Sequence, residues 1–275
     1  MGTEKCITVV PVYRAPADRF ERESFERTCK RFGEGIFNAL CIVTHEGVDL
    51  TEYESIAKKA GVNFEVRHFP KEKFGSIHGY NLLMLDPSFY KKFMEYEYML
   101  ICQLDAMILG HDLDRWLRGG YDYIGGPIFA PGYNGKADFA TVGNGGFCLR
   151  KISSMVRALG GDGPLTWKEI FSIRRPYDPK FTLKKKILYT TMVAASGRSA
   201  WLRGMLSHWV MEDTYFSYAL KSTPWELKVP SALEASEFAI DLGPEFWYKA
   251  NGGILPFGAH KYGVYEGYYN ACRHE

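Results

Sequence analysis

Tyr98-Met-Leu-Ile-Cys-Gln-Leu-Asp-Ala-Met-Ile-Leu109 decides the fold. It is an apolar run broken only by Gln103 and Asp105, the pattern of a strand buried on both faces at the centre of a parallel sheet. Ionising a carboxylate inside such a strand costs on the order of several kcal/mol unless it is paired or metal-bound. Asp105 is therefore expected where the strand ends and a cleft begins, at the carboxyl edge where open α/β sheets take ligands. The plainer alternative is an Asp that caps the next turn.

On the N-terminal side of this run, strands and helices alternate. Cys6 to Val12 reads as a first strand, followed by a charged helix around Asp18 to Arg31. Phe37 to Thr44 is a second strand, Leu50 to Gly61 a helix with Asp49 or Thr51 near its cap, and Asn63 to His68 a third strand. A helix from about Ile77 to Tyr96, broken near Pro87, leads into the central run. This β-α-β alternation predicts a mostly parallel sheet flanked by helices. No GxGxxG follows the first strand, which argues against a dinucleotide-binding fold.

On the C-terminal side the character changes. Asp112 to Arg118 reads as a short helix, Tyr121 to Pro127 as a short strand entering a turn, and Phe129 to Ala140 as a Gly- and Pro-rich loop. A further helix is expected over Lys151 to Leu159, and Trp225 to Glu237 contains strand-like residues. Thr166 to Met211 carries nine basic residues against Glu169 and Asp178, interleaved with Trp167, Phe171, Phe181, Ile187, Leu188, Trp201 and Leu202. Two readings stay open for it: a solvated basic helix pair, or an amphipathic surface for anionic lipid or an anionic acceptor.

Composition bounds the class. With 275 residues, 46% hydrophobic and 24% charged, the chain suits one α/β domain. A formal charge of +2 is too small for bulk nucleic-acid binding. The six cysteines form no CxxC pair, which argues against zinc and for a reducing compartment. The N-terminus enters a strand at once, unlike a signal peptide, and no apolar stretch is long enough to span a membrane. A cytoplasmic protein is expected.

Three constellations accompany Asp105. Asn144-Gly145-Gly146 permits positive φ or close approach of a ligand, or simply a tight turn. Glu212-Asp213 precedes an aromatic helix; Asp213 is either its cap or a general base kept ionised by the helix end. His260-Lys261 sits in a loop, with a possible metal ligand and a cation for phosphate.

The strings YNLLMLDPSFY, YEYMLICQLDAMIL, GYDYIGGPIF, VGNGGFCLRK, EDTYFS and PFGAHKY, from about Tyr80 to Tyr262, resemble a family of glycosyltransferases of GT-A type in bacterial polysaccharide gene clusters. The resemblance implies one GT-A-like domain over 1–275, with a nucleotide-binding half to about 110, an acceptor-binding half over 111–275, and a basic helical insertion at about 165–210. It implies transfer of a sugar from a nucleotide-diphosphate-sugar donor to a hydroxyl of a glycan or lipid-linked acceptor, with inversion, in cell-surface polysaccharide synthesis. Asp213 would be the catalytic base, with Glu212 in reserve. Pro11, Val12, Tyr13, Arg14, Asn81, Gln103, Asp105, Asn144, Gly145, Gly146 and Lys261 would bind the donor. Asp105 and His260 would hold Mn or Mg. Gln103 stands where the family's acidic motif has its first Asp, and a neutral ligand holds these ions more weakly. A metal-independent enzyme, with Lys261 or Arg14 neutralising the diphosphate, is therefore the alternative on that point. Peripheral contact with the inner membrane surface through the basic segment is a further expectation. A non-catalytic carbohydrate- or lipid-binding module and a sugar-nucleotide nucleotidyltransferase are the rival functions; the second lacks a glycine-rich phosphate loop after the first strand.

Overall fold

The first four strands, β1 (Cys6–Pro11), β2 (Ala39–Thr44), β3 (Glu65–His68) and β4 (Tyr98–Cys102), alternate with helices α1 (Arg19–Gly33), α2 (Thr51–Lys59), α3 (Ile77–Met84) and α4 (Pro87–Lys91). The computed structural model describes residues 6–129, 139–160, 167–173, 182–196, 199–208 and 210–272. All four strands are parallel, in the order β3-β2-β1-β4. Period-two burial explains why β1 and β4 sit centrally. Ile7, Val9, Met99 and Ile101 enter one core, and Cys6, Val10, Tyr98, Leu100 and Cys102 enter the other. Phe25 and Cys29 of α1, with Tyr53 and Ile56 of α2, cover the second face; Leu83, Met84 and Phe89 cover the first.

Local chemistry sets the helix ends. Asp18 accepts from the Phe20 and Glu21 amides to start α1. Asp49 accepts from the Thr51 amide, and Gly61 takes a positive φ just past α2. Asp86 caps α4 and Pro87 opens it, so the helix expected over Ile77 to Tyr96 is two helices ending at Lys91.

The central run is a buried strand that ends before Asp105, as expected, but its tail belongs to a different sheet. It leaves the main sheet at Cys102, turns through Gln103 to Ala106, and re-forms as β5 (Met107–Ile108) in a second sheet. Ala106 N–H donates to Gln103 O, closing that turn. Helix α5 (Leu113–Arg118) follows, capped by Asp112. Next come β6 (Tyr123–Gly125), β7 (Pro127–Phe129), β8 (Phe139–Val142), β9 (Phe147–Lys151) and helix α6 (Ile152–Gly160). The main sheet thus completes as β3-β2-β1-β4-β9-β6, with β9 antiparallel to both neighbours. Five of its strands point one way. The expected loop over Phe129 to Ala140 is in part the β7–β8 hairpin; its middle lies outside the described residues.

The basic segment contains α7 (Trp167–Ser172), α8 (Leu183–Ser196) and α9 (Ala200–Leu206). Arg174, Arg175, Lys180, Phe181 and Arg198 lie outside the described residues. Arg203 is not a surface cation as grouped by sequence: it is buried and donates to Leu159 O at 2.8 Å. After α10 (Glu212–Thr214) and a wide helical turn over Tyr215–Ala219, the expected strand-like stretch forms helix α11 (Ala232–Phe238). Ser231 and Glu234 begin that helix, with the Ser231 hydroxyl accepting from the Glu234 amide. The chain ends with β10 (Ala239–Ile240), α12 (Pro244–Ala250), β11 (Gly258–Ala259) and α13 (Glu266–Cys272). All six cysteines are free, five of them buried. No described helix is long and apolar enough to cross a membrane.

Candidate active site

Chain order places the site. From β1 the chain runs outward through β2 and β3, then crosses to β4 on the other side of β1. The carboxyl ends of β1 and β4 therefore flank a topological switch point, where open α/β sheets bind ligands. A cleft of about 680 Å³ lies there, lined by residues that follow β1, β4 and α9 and that precede β9. That volume is ample for a small-molecule ligand.

The second sheet supplies one wall. Its order is β10-β11-β5, with β10 parallel and β5 antiparallel to β11. Asp241 follows β10, His260 follows β11 and Asp105 lies just ahead of β5, so two-residue strands bring three distant side chains to one edge. His260 Nδ1 lies 2.9 Å from Asp241 Oδ1, and Nε2 lies 3.3 Å from Asp105 Oδ1. Burial opposes a charge on the imidazole, but the two carboxylates outweigh it and push its pKa up to about 9. Burial alone would raise the Asp105 and Asp241 carboxyls; His260 and then Lys261 hold both below the usual carboxylate range. The Nε2 contact is off the line of a hydrogen bond, and among the described residues this buried nitrogen has no hydrogen-bond partner. Lys261 adopts a left-handed backbone (φ 52°) and reaches Asp241 at 3.1 Å. A non-glycine residue held there is local strain of the kind found at functional sites.

Glycines let this wall approach the opposite one. A Cβ at Gly146 would fall on the His260 ring, and one at Gly145 on the Glu212 carboxylate. Asn144 Oδ1 accepts from Gly146 N–H, and Gly146 O accepts from Gln103 N–H, tying this turn to the end of β4.

Glu212 and Asp213 form the floor near α10. Glu212 is buried and paired at 2.8 Å with Arg150, itself fully buried. Arg150 also donates to the Tyr90 hydroxyl at 2.7 Å and approaches Cys148 Sγ at 3.1 Å. Asp213, half-buried, accepts from the Thr214 amide. Its carboxyl is pushed up to about 7, first by burial and then by the Glu212 charge, against the pull of Thr214 and Arg150. The sequence reading has a helix end keeping this carboxylate ionised; burial and the Glu212 charge work against that. Helix α10 is only three residues long, too short to offset desolvation.

Pro11, Tyr13, Gln103, Asp105, Asn144, Gly145, Gly146, Glu212, Asp213, His260 and Lys261 all line the cleft. Three expected donor contacts do not. Val12 is buried in the core and bonded to Val43 O. The Arg14 guanidinium is held by Glu21 at 2.7 and 2.8 Å. Asn81 is fully buried, donating to Ser207 O and Val210 O while accepting from the Glu212 amide. It positions Glu212 and cannot reach a nucleotide. Sequence reasoning missed Asp241, Arg150 and the α3 start, where Ser76 and Ile77 edge the cleft with the positive end of that helix. Asp241 had a legible signal, the apolar Phe238-Ala-Ile run ending in Asp as at Asp105. Arg150 and Ser76 had none.

Fold and site together define an α/β protein with a polar ligand cleft at the switch point of its sheet. The chain belongs to the family described as "Protein of unknown function (DUF5672)", whose model matches residues 63–260. No curated protein matches it. Among solved structures it is similar to Staphylococcus aureus TarS 1–349, at 13% identity over 70% of this chain and 56% of that one, TM-score 0.37. It thus spans just over half the length of that TarS fragment. It is also similar to Aspergillus fumigatus core-mannan synthase A (CmsA/Ktr4) in a Mn/GDP form, at 10% identity over 78% and 69%, TM-score 0.44. Yersinia pseudotuberculosis HddC gives 12% identity over 55% and 78%, TM-score 0.35. Identities and scores this low leave the function to be argued from the site.

Proposed function

We propose that this protein is a GT-A-type glycosyltransferase, moving a sugar from a nucleotide-diphosphate-sugar to a hydroxyl of a glycan or lipid-linked acceptor, with inversion, in cell-surface polysaccharide synthesis. One observation carries the reading. One cleft at the switch point is lined by Asp213, beside the buried Arg150–Glu212 pair, and by Asp105 and His260, with Asp241 behind the imidazole.

The roles follow from charge. The donor diphosphate lies toward Lys261 and the α3 N-terminus, with Tyr13 and Pro11 beside the base and ribose. The first 110 residues form the donor half, residues 111–275 the acceptor half, with the basic helical insertion at about 165–210. As the anomeric C–O bond breaks, its electron pair leaves with the diphosphate through an oxocarbenium-like transition state. The acceptor oxygen bonds to the anomeric carbon from the opposite face, and its proton passes to Asp213. A base with pKa near 7 is matched to that task at neutral pH. Glu212, committed to Arg150, is not a second base; its charge keeps the Asp213 carboxyl basic.

The residues present fit a divalent cation in one respect. The orphaned His260 Nε2 faces Asp105, and Asp241 on Nδ1 completes the carboxylate–histidine arrangement typical of metal ligands. Among the described residues no group of three or more His, Cys, Asp or Glu is arranged to hold a metal. Asp105 and His260 would therefore hold Mn or Mg with neutral Gln103 nearby, the remaining ligands coming from water and donor phosphate. Such an ion would stabilise charge growing on the leaving diphosphate.

The test is a thermal-shift screen of sugar nucleotides with and without Mn²⁺, followed by turnover of the stabilising donor. Asp213→Asn should lower turnover by roughly 10²–10⁴-fold while keeping the donor-induced shift. Asp105→Ala should lose the shift. Near wild-type transfer by D213N would remove Asp213 as the base. Donor binding without nucleotide release, in the presence or absence of acceptor, would leave a binding module.

A further inference from the structure

Helix α8 has more apolar surface than its fold uses. Tyr189, Met192 and Val193 enter the core, yet Leu183, Ile187 and Leu188 point outward at spacings of four and five residues. A helix in water needs one apolar face; a second requires a cover. Its neighbours repeat the pattern. Trp167 and Phe171 on α7 and Trp201 on α9 are each 70% exposed or more, and Trp167 and Phe171 lie ring to ring at 6.4 Å.

Charge says what the cover is. Lys168, Lys184 and Lys185 are exposed among these apolar residues, and Lys186 is half-buried. Over Thr166 to Met211 the sequence holds nine basic and two acidic residues, a formal +7, or +6 without the buried Arg203, in a chain whose total is +2. The rest of the molecule is therefore net acidic, so the basic character is concentrated on this segment. Three of the six tryptophans, Trp167, Trp201 and Trp209, fall within it too. Lysine interleaved with exposed tryptophan and branched aliphatics matches the boundary of an anionic bilayer, where indoles rest at headgroup depth and ammonium groups meet phosphate. The segment also leads straight into the cleft. Met211, next to Glu212, and Ile77 are both exposed and line the cleft, and His78, next to Ile77, stacks on His208 at 3.9 Å.

We propose that α7, α8 and α9 form a docking face for anionic lipid bilayers, setting the cleft mouth at the membrane surface. The surface carries this inference without the transfer reaction, so its test uses no donor. The full chain is co-sedimented with phosphatidylcholine vesicles, with and without phosphatidylglycerol. Binding should require the anionic lipid and weaken from about 0.1 to 1 M salt, as the Debye length falls from about 10 to 3 Å. Lys184→Gln with Lys185→Gln should lower partitioning roughly fivefold per lysine. Trp167→Ser with Trp201→Ser should abolish it, and Lys58→Gln with Lys59→Gln on the far helix α2 should leave it unchanged. Equal binding to both vesicle types, no binding to either, or equal loss in the α2 variant would overturn the proposal. So would self-association lost in the tryptophan variant without any vesicle binding.

Discussion

Glu212 and Asp213 are adjacent in the chain, yet Arg150 takes only the first of them. A buried guanidinium with a hydrogen-bonded carboxylate forms a satisfied pair, and breaking it would strand a buried charge. Among the described residues Asp213 has no such partner, and it meets the Glu212 charge in a desolvated setting, so its carboxyl moves up to about 7. The sign follows from linkage. A carboxyl raised in the folded protein binds its proton more tightly there than in the unfolded chain, so ionisation costs the folded state. Wild-type stability relative to D213N should therefore fall as pH rises from about 4, near the unfolded carboxyl, to about 7, and stay level above. Urea midpoints of both proteins at pH 4.5 and 8 measure this, and D213N should gain on wild type at the higher pH. Transfer should show the opposite demand, falling about tenfold per pH unit below 7 as the base becomes protonated. A gap independent of pH would mean that Asp213 is not the group displaced.

Two-residue strands decide where His260, Asp241 and Asp105 meet, and at the scale of elements this was the least legible feature. The acidic residue at the end of β4, the glycine pair and the late His were readable because each interrupts a strong local pattern. Strands as short as Met107–Ile108, Ala239–Ile240 and Gly258–Ala259 have no period to read, so β11 looked like loop and Met107–Ile108 like the tail of the β4 run. The capping pair Ser231 and Glu234 was present in the sequence, but aromatic and branched neighbours pulled the reading toward strand. The small sheet depends on Gly258, where a Cβ would fall on the Phe147 ring. Phe147 is packed between Phe238 and Phe257 and has little room to move. Gly258→Ala should destabilise the protein by about 1–3 kcal/mol through overpacking. Gly267→Ala, in α13 with open space around it, should instead stabilise by up to about 1 kcal/mol. Equal denaturation midpoints for the two variants would show that the close approach at Gly258 is not enforced.

Across the whole molecule, the β-α-β rhythm of the first hundred residues announced the parallel half of the sheet because each element has a clean period and a cap. The antiparallel completion by β9 and β6 was not legible, since a buried strand reads the same in either direction. That completion bears on the two halves proposed about residue 110. Strand β4 belongs to the first half but is bonded to β1 on one side and to β9, from the second half, on the other. One core holds Ile7, Val9 and Met99 from the first half with Met155, Tyr189 and Phe216 from the second. Neither half closes its own hydrophobic surface, so the proposed division is one of ligand contacts and not of folding. Calorimetry should accordingly show one cooperative transition for the full chain, with van't Hoff and calorimetric enthalpies equal. A fragment ending at residue 110 would expose the Met99 and Ile101 face and the free edge of β4, and should show no cooperative unfolding. Two separable transitions, or a cooperatively folded fragment, would establish independent domains and require the cleft to be an interface between them.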